Sequence, residues 1–170
     1  MNKRIEEVLN KQIELEARSS HHYLSMASWA ECQGYSGVAN FLYQHSDEER
    51  QHMLRLVKFV NERGGKAIIP SLDAVDVSYD SLLEVFNQLL EHEMHVTNSI
   101  NEVVYLCLEE KDYTTHTFMQ WYVSEQLEEE ALARNILDKL KLVWEDKGGL
   151  YMFDRDLENL QADSIANEPQ

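Results

Sequence analysis

Apolar residues recur at every third or fourth position along most of this chain, which is the spacing of the buried face of an α-helix. The pattern predicts four long helices at about residues 2–33, 36–63, 81–111 and 113–146. A shorter amphipathic stretch at about residues 150–160 predicts a fifth helix. The chain has only 2 Pro and 6 Gly among 170 residues, so few further breaks are expected.

The lengths of the connections predict how the helices are arranged. Only a few residues separate the first helix from the second and the third from the fourth, so each pair should form an antiparallel hairpin. Residues 64–80 form a longer connection that contains Gly64, Gly65 and Pro70 and can run the length of a bundle. We therefore expect a single domain, residues 1–170: an all-α four-helix bundle with one long crossover and a short C-terminal fifth helix.

Each of the four long helices carries a glutamate where its apolar stripe should continue. The four residues are Glu16, Glu49, Glu93 and Glu129. An ionised carboxylate moved from water into an apolar core costs several kcal/mol unless it is paired. Lys and Arg are scarce in these stripes, so a bound metal cation is the expected partner. His52 lies three residues after Glu49, which allows both side chains to ligate one ion.

The ligand types narrow the choice of metal. Carboxylates with a single imidazole suit iron, manganese or zinc better than copper. In di-iron carboxylate bundles, two helices each supply one Glu and the other two each supply a Glu-x-x-His motif. Three helices of this chain match that pattern, but the fourth carries Gln126-x-x-Glu129 instead. The residues therefore predict a two-metal centre whose two positions have different ligands.

A second acidic group lies next to this predicted centre along the sequence. Glu48 precedes Glu49, and Glu125 and Glu128 share a helix face adjacent to Glu129. They are expected either to form a third cation site at an exit from the centre or to be part of a solvated surface.

Several aromatic residues are also candidates for the site. Tyr23 lies on the same helix face as Glu16, where it is either a core residue or a phenol that donates an electron or orients a ligand. His45 is expected either to pack in the core or to contact a metal ligand without binding the metal itself. His21 and His22 lie off the apolar stripe and are expected on the surface. His92 and His95 flank Glu93, and Glu91 with His95 has the i,i+4 spacing of a ligand pair, but we expect these residues on a solvated or interface face.

Composition excludes some partners. The formal net charge is -16, with 31 acidic against 15 basic residues, which argues against binding to nucleic acid or anionic lipid. The acidity either attracts cations or only aids solubility. No run of eighteen apolar residues is present, and residues 1–10 are charged without an apolar signal core, so we expect no membrane association and a cytoplasmic location.

Over nearly its whole length the chain resembles a haem-free bacterial ferritin. The segments that carry the resemblance are Leu15–Ser20 with Tyr23, His45–Met53, His92–Glu93 and Gln120–Glu130. The resemblance implies the ferritin-like bundle and a ferroxidase centre with iron at two positions. One position would use Glu16, Glu49 and His52, and the other Glu49, Glu93 and Glu129, with Gln126 close by. A third iron site would use Glu48, Glu125, Glu128 and Glu129, and Tyr23 would lie beside the centre.

The resemblance also implies a function. Such a protein oxidises Fe(II) to Fe(III) with dioxygen or peroxide and stores it as a ferric mineral in a hollow shell, which it forms by self-association of 24 subunits. Haem-binding relatives carry a Met directly after the bridging Glu, whereas this chain has Arg50 at that position. Haem is therefore not expected. The alternatives are a storage shell without significant catalysis of its own, and a di-iron oxidoreductase that does not store iron.

Overall fold

The protein is an all-α bundle with one long crossover and a C-terminal helix, which confirms the predicted fold class. The structure is a computed structural model that describes the backbone of residues 1–167 and the side chains of residues 1–158. Its helices are α1 (Lys3–Cys32), α2 (Ser36–Glu62), α3 (Leu82–Glu109), α4 (Tyr113–Val143) and α5 (Lys147–Asn167). No helix within this described range is long and apolar enough to cross a membrane.

Two tight turns make antiparallel hairpins of α1 with α2 and of α3 with α4. Gly34 adopts a φ of 85° in the first turn and Lys111 a φ of 55° in the second, so both turns use the left-handed region. Ser20 and Ser46 also join α1 to α2, because each hydroxyl donates a hydrogen bond of 2.7 Å to the backbone carbonyl of the other residue. Small side chains at this level allow the two backbones to approach closely.

The crossover, residues 63–81, runs along α1. Near its start, the backbone N–H of Ile68 donates to Oδ1 of Asn10 at 2.7 Å. Near its end, the Tyr79 ring contacts that of Trp29 with centroids 5.5 Å apart. From Asn10 to Trp29 the helix rises about 28 Å at ~1.5 Å per residue. The crossover therefore returns the chain from one end of the bundle to the other, and α3 starts opposite to where α2 ends.

The apolar core is divided into two clusters at the two ends of the bundle. One cluster includes Leu42, Phe86, Leu89 and Leu140. The other includes Ile5, Leu9, Leu56 and Ile100. Each of the first four helices contributes to both clusters, and the middle turn of each helix lies between them.

The last helix begins earlier and extends further than the amphipathic stretch at 150–160 predicts. α4 ends at Val143 rather than near residue 146, and α5 starts at Lys147. The reason for the early start is local. Asp146 accepts hydrogen bonds from the backbone N–H groups of Gly148 and Gly149, so these glycines lie in the first turn of α5. The side chains of residues 159 and 160 lie outside the described side chains.

α5 packs against the start of α2 and completes its N-terminus. Tyr35, the residue that caps α2, provides no side-chain hydrogen bond. Instead, Oδ1 of the buried Asp154 of α5 accepts a hydrogen bond of 2.9 Å from the backbone N–H of Val38. A Cβ at Gly37 would lie 1.9 Å from the carbonyl oxygen of Asp154, so this close approach requires glycine.

We predict that Asp154→Ala exposes the Val38 amide. Loss of a capping carboxylate costs about 1 kcal/mol, which corresponds to about fivefold faster hydrogen exchange where local opening controls the rate. Amide-resolved hydrogen–deuterium exchange measures this effect. The control is Asp156→Ala, which removes an exposed acid from the same helix. Equal exchange at Val38 in both variants would contradict the role of Asp154.

Candidate metal centre

The four glutamates predicted from the stripes all lie in the core, one on each of the first four helices. Each lies along its helix between residues of the two apolar clusters, as Glu49 does between Leu42 and Leu56. Their exposed fractions are 1% for Glu16, 2% for Glu49, 0% for Glu93 and 8% for Glu129. The middle of the bundle is therefore a layer of acids between two apolar regions.

Glu16, Glu49 and His52 form a group of ligand type. One ligand atom of each lies within 4.8 Å of the other two. Nδ1 of His52 is 3.9 Å from Oε2 of Glu16 and 3.8 Å from Oε1 of Glu49. These separations are too long for hydrogen bonds. They lie within the roughly 4 Å that two ligand atoms can span when both bind one ion at about 2.0–2.2 Å.

Glu49 has one carboxylate oxygen without a hydrogen-bond partner among the described residues. Its Oε2 is buried and accepts no hydrogen bond within the described part of the chain. Among residues 1–158, no Lys or Arg forms an ion pair with any of the four acids. A buried carboxylate oxygen without a donor is costly, and a cation bound there would remove that cost.

Side chains from neighbouring helices orient Glu93. The Tyr23 hydroxyl donates a hydrogen bond to its Oε1, and Nε2 of Gln126 donates to its Oε2 at 3.1 Å. Both carboxylate oxygens are therefore held in place from α1 and α4. Gln126 acts here as a donor to a predicted ligand, which its position beside Glu129 did not indicate.

Glu16 has a supporting residue that the sequence analysis missed. Nε2 of the buried Gln12 donates to Oε1 of Glu16 at 2.8 Å, and the Ser99 hydroxyl donates to Oε1 of Gln12 at 2.6 Å. A signal was present, because Gln12 is a polar residue one turn before Glu16 on the same buried stripe.

His45, Glu48 and Glu129 form a second group of ligand type, again with their ligand atoms within 4.8 Å of one another. Nε2 of His45 is 3.0 Å from Oε2 of Glu129, and Nδ1 is 3.3 Å from Oε2 of Glu48. His45 therefore contacts two of the predicted third-site acids directly. Glu125 is half-buried, with Oε1 4.0 Å from Nε2 of His52. Glu128 is exposed and belongs to neither group.

Burial shifts the pKa values of the side chains in the centre. It raises the pKa of Glu16 to about 7 and the pKa of Glu49 well above its usual range, and the neighbouring acids raise the pKa of Glu49 further. Burial also raises the pKa of Glu93. It lowers the pKa of His52 to about 4, so this imidazole is neutral at pH 7 and keeps a lone pair for a metal.

The pKa values of His45 and Glu129 shift in the directions opposite to those that burial alone would cause. Burial lowers the pKa of His45, but the hydrogen bond and charge of Glu129 more than offset it, so the pKa lies above its usual value. Burial raises the pKa of Glu129, but His45 brings the pKa below its usual value. The pair therefore favours an ionised carboxylate beside an imidazolium.

Comparisons with known proteins point to one family. A family model described as "Ferritin-like domain" matches residues 6–143. A probable bacterial non-heme ferritin-like protein of Haemophilus influenzae is 46% identical over 160 residues, which cover 94% of this chain and 97% of that protein. A bacterial non-heme ferritin of Campylobacter jejuni is 41% identical over 160 residues, which cover 94% and 96%. An open pore ferritin from the archaeon Archaeoglobus fulgidus has a similar solved structure, with a TM-score of 0.91, 40% identity and coverage of 93% and 97%.

The pKa of Glu16 predicts how the stability of the metal-free protein depends on pH. Its value of about 7 in the folded state lies above the usual 4.5, so between these values the folded chain binds more protons than the unfolded chain. Stability in the presence of a chelator should therefore fall as pH rises from about 4.5 to about 7. Glu16→Gln should make this fall shallower.

Urea denaturation midpoints at the two ends of this pH range provide the measurement. Glu7→Gln is the matched control, because it removes an exposed acid from the same helix and should leave the pH dependence unchanged. If Glu16→Gln and the parent chain show the same fall, then Glu16 does not carry the extra proton.

Proposed function

The chain belongs to the ferritin family, and on that premise we propose that it is an iron-storage protein that oxidises Fe(II) to Fe(III) between its four long helices. The observation that carries the proposal is the group of Glu16, Glu49 and His52, in which a buried oxygen of Glu49 has no hydrogen-bond partner among the described residues. Iron is the substrate and cargo of the protein in this proposal.

The proposed ligands divide between two positions that share Glu49. One Fe(II) would bind Glu16, Glu49 and the neutral imidazole of His52. The other would bind Glu49, Glu93 and Glu129. Glu49 would bridge the two ions, which fits the absence of a hydrogen-bond donor at its Oε2 among the described residues. Tyr23 and Gln126 support the second position, because their hydrogen bonds hold both oxygens of Glu93.

The chemistry follows from the ligand set. Two Fe(II) ions give up one electron each, and dioxygen takes both electrons with two protons to form hydrogen peroxide. With peroxide as the oxidant, the same two electrons and two protons produce two water molecules. Hard anionic oxygen ligands stabilise Fe(III) more than Fe(II), because the higher charge gains more from them. Metal binding would also release protons from Glu16 and Glu49, whose pKa values are raised by burial.

A third iron site is proposed at Glu48, Glu125, Glu128 and Glu129. Contacts from the buried centre towards solvent support it. Glu129, which is nearly buried, contacts His45, and His45 contacts Glu48, whose side chain is 56% exposed. Iron that leaves the second position would meet these acids next, on its way to a mineral store inside a shell of 24 subunits.

We predict that Glu49→Gln abolishes rapid iron oxidation. Loss of the shared ligand should slow the oxidation of the first two Fe(II) per subunit at least about tenfold, since even supporting residues of metal sites contribute about 10–100-fold. Stopped-flow absorbance after aerobic mixing at two Fe(II) per subunit measures this rate. A fast phase that survives unchanged would show that the oxidation occurs elsewhere.

Two controls separate the centre from other acids. Glu62→Gln removes an exposed acid from the same helix and should leave every phase unchanged. Glu128→Gln should keep the fast phase for the first two ions and slow only the later uptake of iron. A loss of the fast phase in Glu128→Gln would contradict the division into a centre and a third site.

We predict that the purified protein is a hollow shell before iron is added. A shell of 24 copies of the 19.9 kDa chain has a mass of about 480 kDa. Sedimentation velocity measures this mass, and iron added aerobically should then sediment with the protein as a denser particle. A monomer or dimer that keeps a stoichiometric pair of ions would instead support a di-iron oxidoreductase. A shell that loads iron without the fast oxidation phase would support storage without catalysis.

A further inference from the structure

A further set of metal-ligand side chains lines a cavity that the proposed iron sites do not use. The cavity has a volume of about 430 Å³ and is formed by α1, α3 and the crossover. Its wall contains three histidines and two acids: His22, Glu91, His92, His95 and Asp76. From the sequence, the three histidines are expected on surface or interface faces, although the i,i+4 spacing of Glu91 and His95 is one that ligand pairs also use. The fold brings them together from two helices.

The three imidazoles are placed where they can converge. His92 and His95 are three residues apart on α3, which makes them neighbours on one helix face. His22 lies across on α1, and its ring centroid is 5.7 Å from that of His92. His95 is exposed and His22 is half-buried, so both rings have room to turn towards the cavity.

A serine on α1 holds one ring nitrogen of His92. Oγ of Ser19 lies 2.6 Å from Nε2 of His92, and which of the two donates depends on the tautomer of the imidazole. The Ser19 hydroxyl also lies 3.1 Å from the backbone carbonyl of Leu15, to which it can donate. In the tautomer with its hydrogen on Nε2, His92 donates to Ser19 and Nδ1 keeps a lone pair for a metal, which is the arrangement typical of metal-binding histidines.

We propose that this cavity binds one divalent transition-metal ion of the zinc or cobalt type, with His22, His92 and His95 as ligands and Asp76 or Glu91 completing the coordination. Imidazole nitrogens favour such ions, whereas the carboxylates of the central site favour harder ones. Three nitrogens and one carboxylate oxygen suit the four-coordinate tetrahedral geometry of zinc. The ligand atoms do not lie within 4.8 Å of one another in the structure, so binding would require His22 and His95 to rotate towards the cavity.

The proposed ion would lie beside the iron centre but outside it. His92 directly precedes Glu93 on α3, and Tyr23, which lines the same cavity, donates its hydroxyl to Glu93. The cavity and the centre therefore share a wall but no ligand. Removal of histidines from the cavity should leave the acids of the centre in place.

The test is a metal titration of the whole assembled protein after chelator treatment. Zn(II) binding is followed by calorimetry for the parent chain and for the double variant His22→Ala, His95→Ala. Both residues are at least partly exposed, so the fold should survive, and far-ultraviolet circular dichroism checks it. We expect the double variant to bind one ion fewer per subunit. The matched control is His21→Ala, His116→Ala, which removes two histidines that do not line the cavity.

Crystals soaked in Zn(II) or Co(II) locate the ion. Anomalous scattering should show a peak between His22, His92 and His95 in the parent chain and in Glu49→Gln, but not in the double variant. Its presence in Glu49→Gln separates this site from the iron centre, whose proposed function is tested independently. Equal zinc stoichiometry in the parent and the double variant, or the absence of the anomalous peak from the parent, would overturn the proposal.

Discussion

The burial of four carboxylates in one layer is the constraint on which the rest of this structure depends. Each ionised acid costs several kcal/mol in an apolar core, which together would rival a typical domain stability of about 5–15 kcal/mol. Hydrogen bonds from Gln12, from Tyr23 with Gln126, and from His45 compensate three of the acids. Glu49 keeps one buried oxygen without a hydrogen bond among the described residues, and burial beside the other acids raises its pKa, which favours a proton on it in the metal-free chain. A cation would replace that proton.

The four long helices share the free-energy cost of burying the acids and hold the acids at one level of the bundle. Each long helix contributes one acid near its middle, and the two apolar clusters on either side provide the burial that stabilises the bundle. The mutual hydrogen bonds of Ser20 and Ser46 keep α1 and α2 close near this level. The crossover lies along α1 and returns the chain to the opposite end, which places Glu93 of α3 level with Glu16 of α1.

The sequence could predict the acids but not their partners. Glu16 and Glu49 were visible because each interrupts a stripe with the helical period, and that period is a local property. The contact of His45 with Glu129 depends on how α2 and α4 are rotated against each other, which no local spacing reveals. The same holds for Asp154, which caps α2 from a helix more than a hundred residues later. The predicted end of the fourth helix near residue 146 was too late for a similar reason, because the capping of α5 by Asp146 depends on side-chain geometry that the sequence does not reveal.

The role of Gln126 sharpens the asymmetry of the centre. In a symmetric di-iron bundle this turn would supply a second Glu-x-x-His motif. Here the amide nitrogen of Gln126 donates to Glu93 and orients it, so in the proposed function the second position is held by carboxylates alone. Glu129 of that position is joined through His45 to the exposed Glu48. Under the proposed function, the imidazole of His52 holds one iron while the other position opens towards solvent along acids. That arrangement favours a centre from which oxidised iron moves on to storage over one that retains both metals as a fixed cofactor.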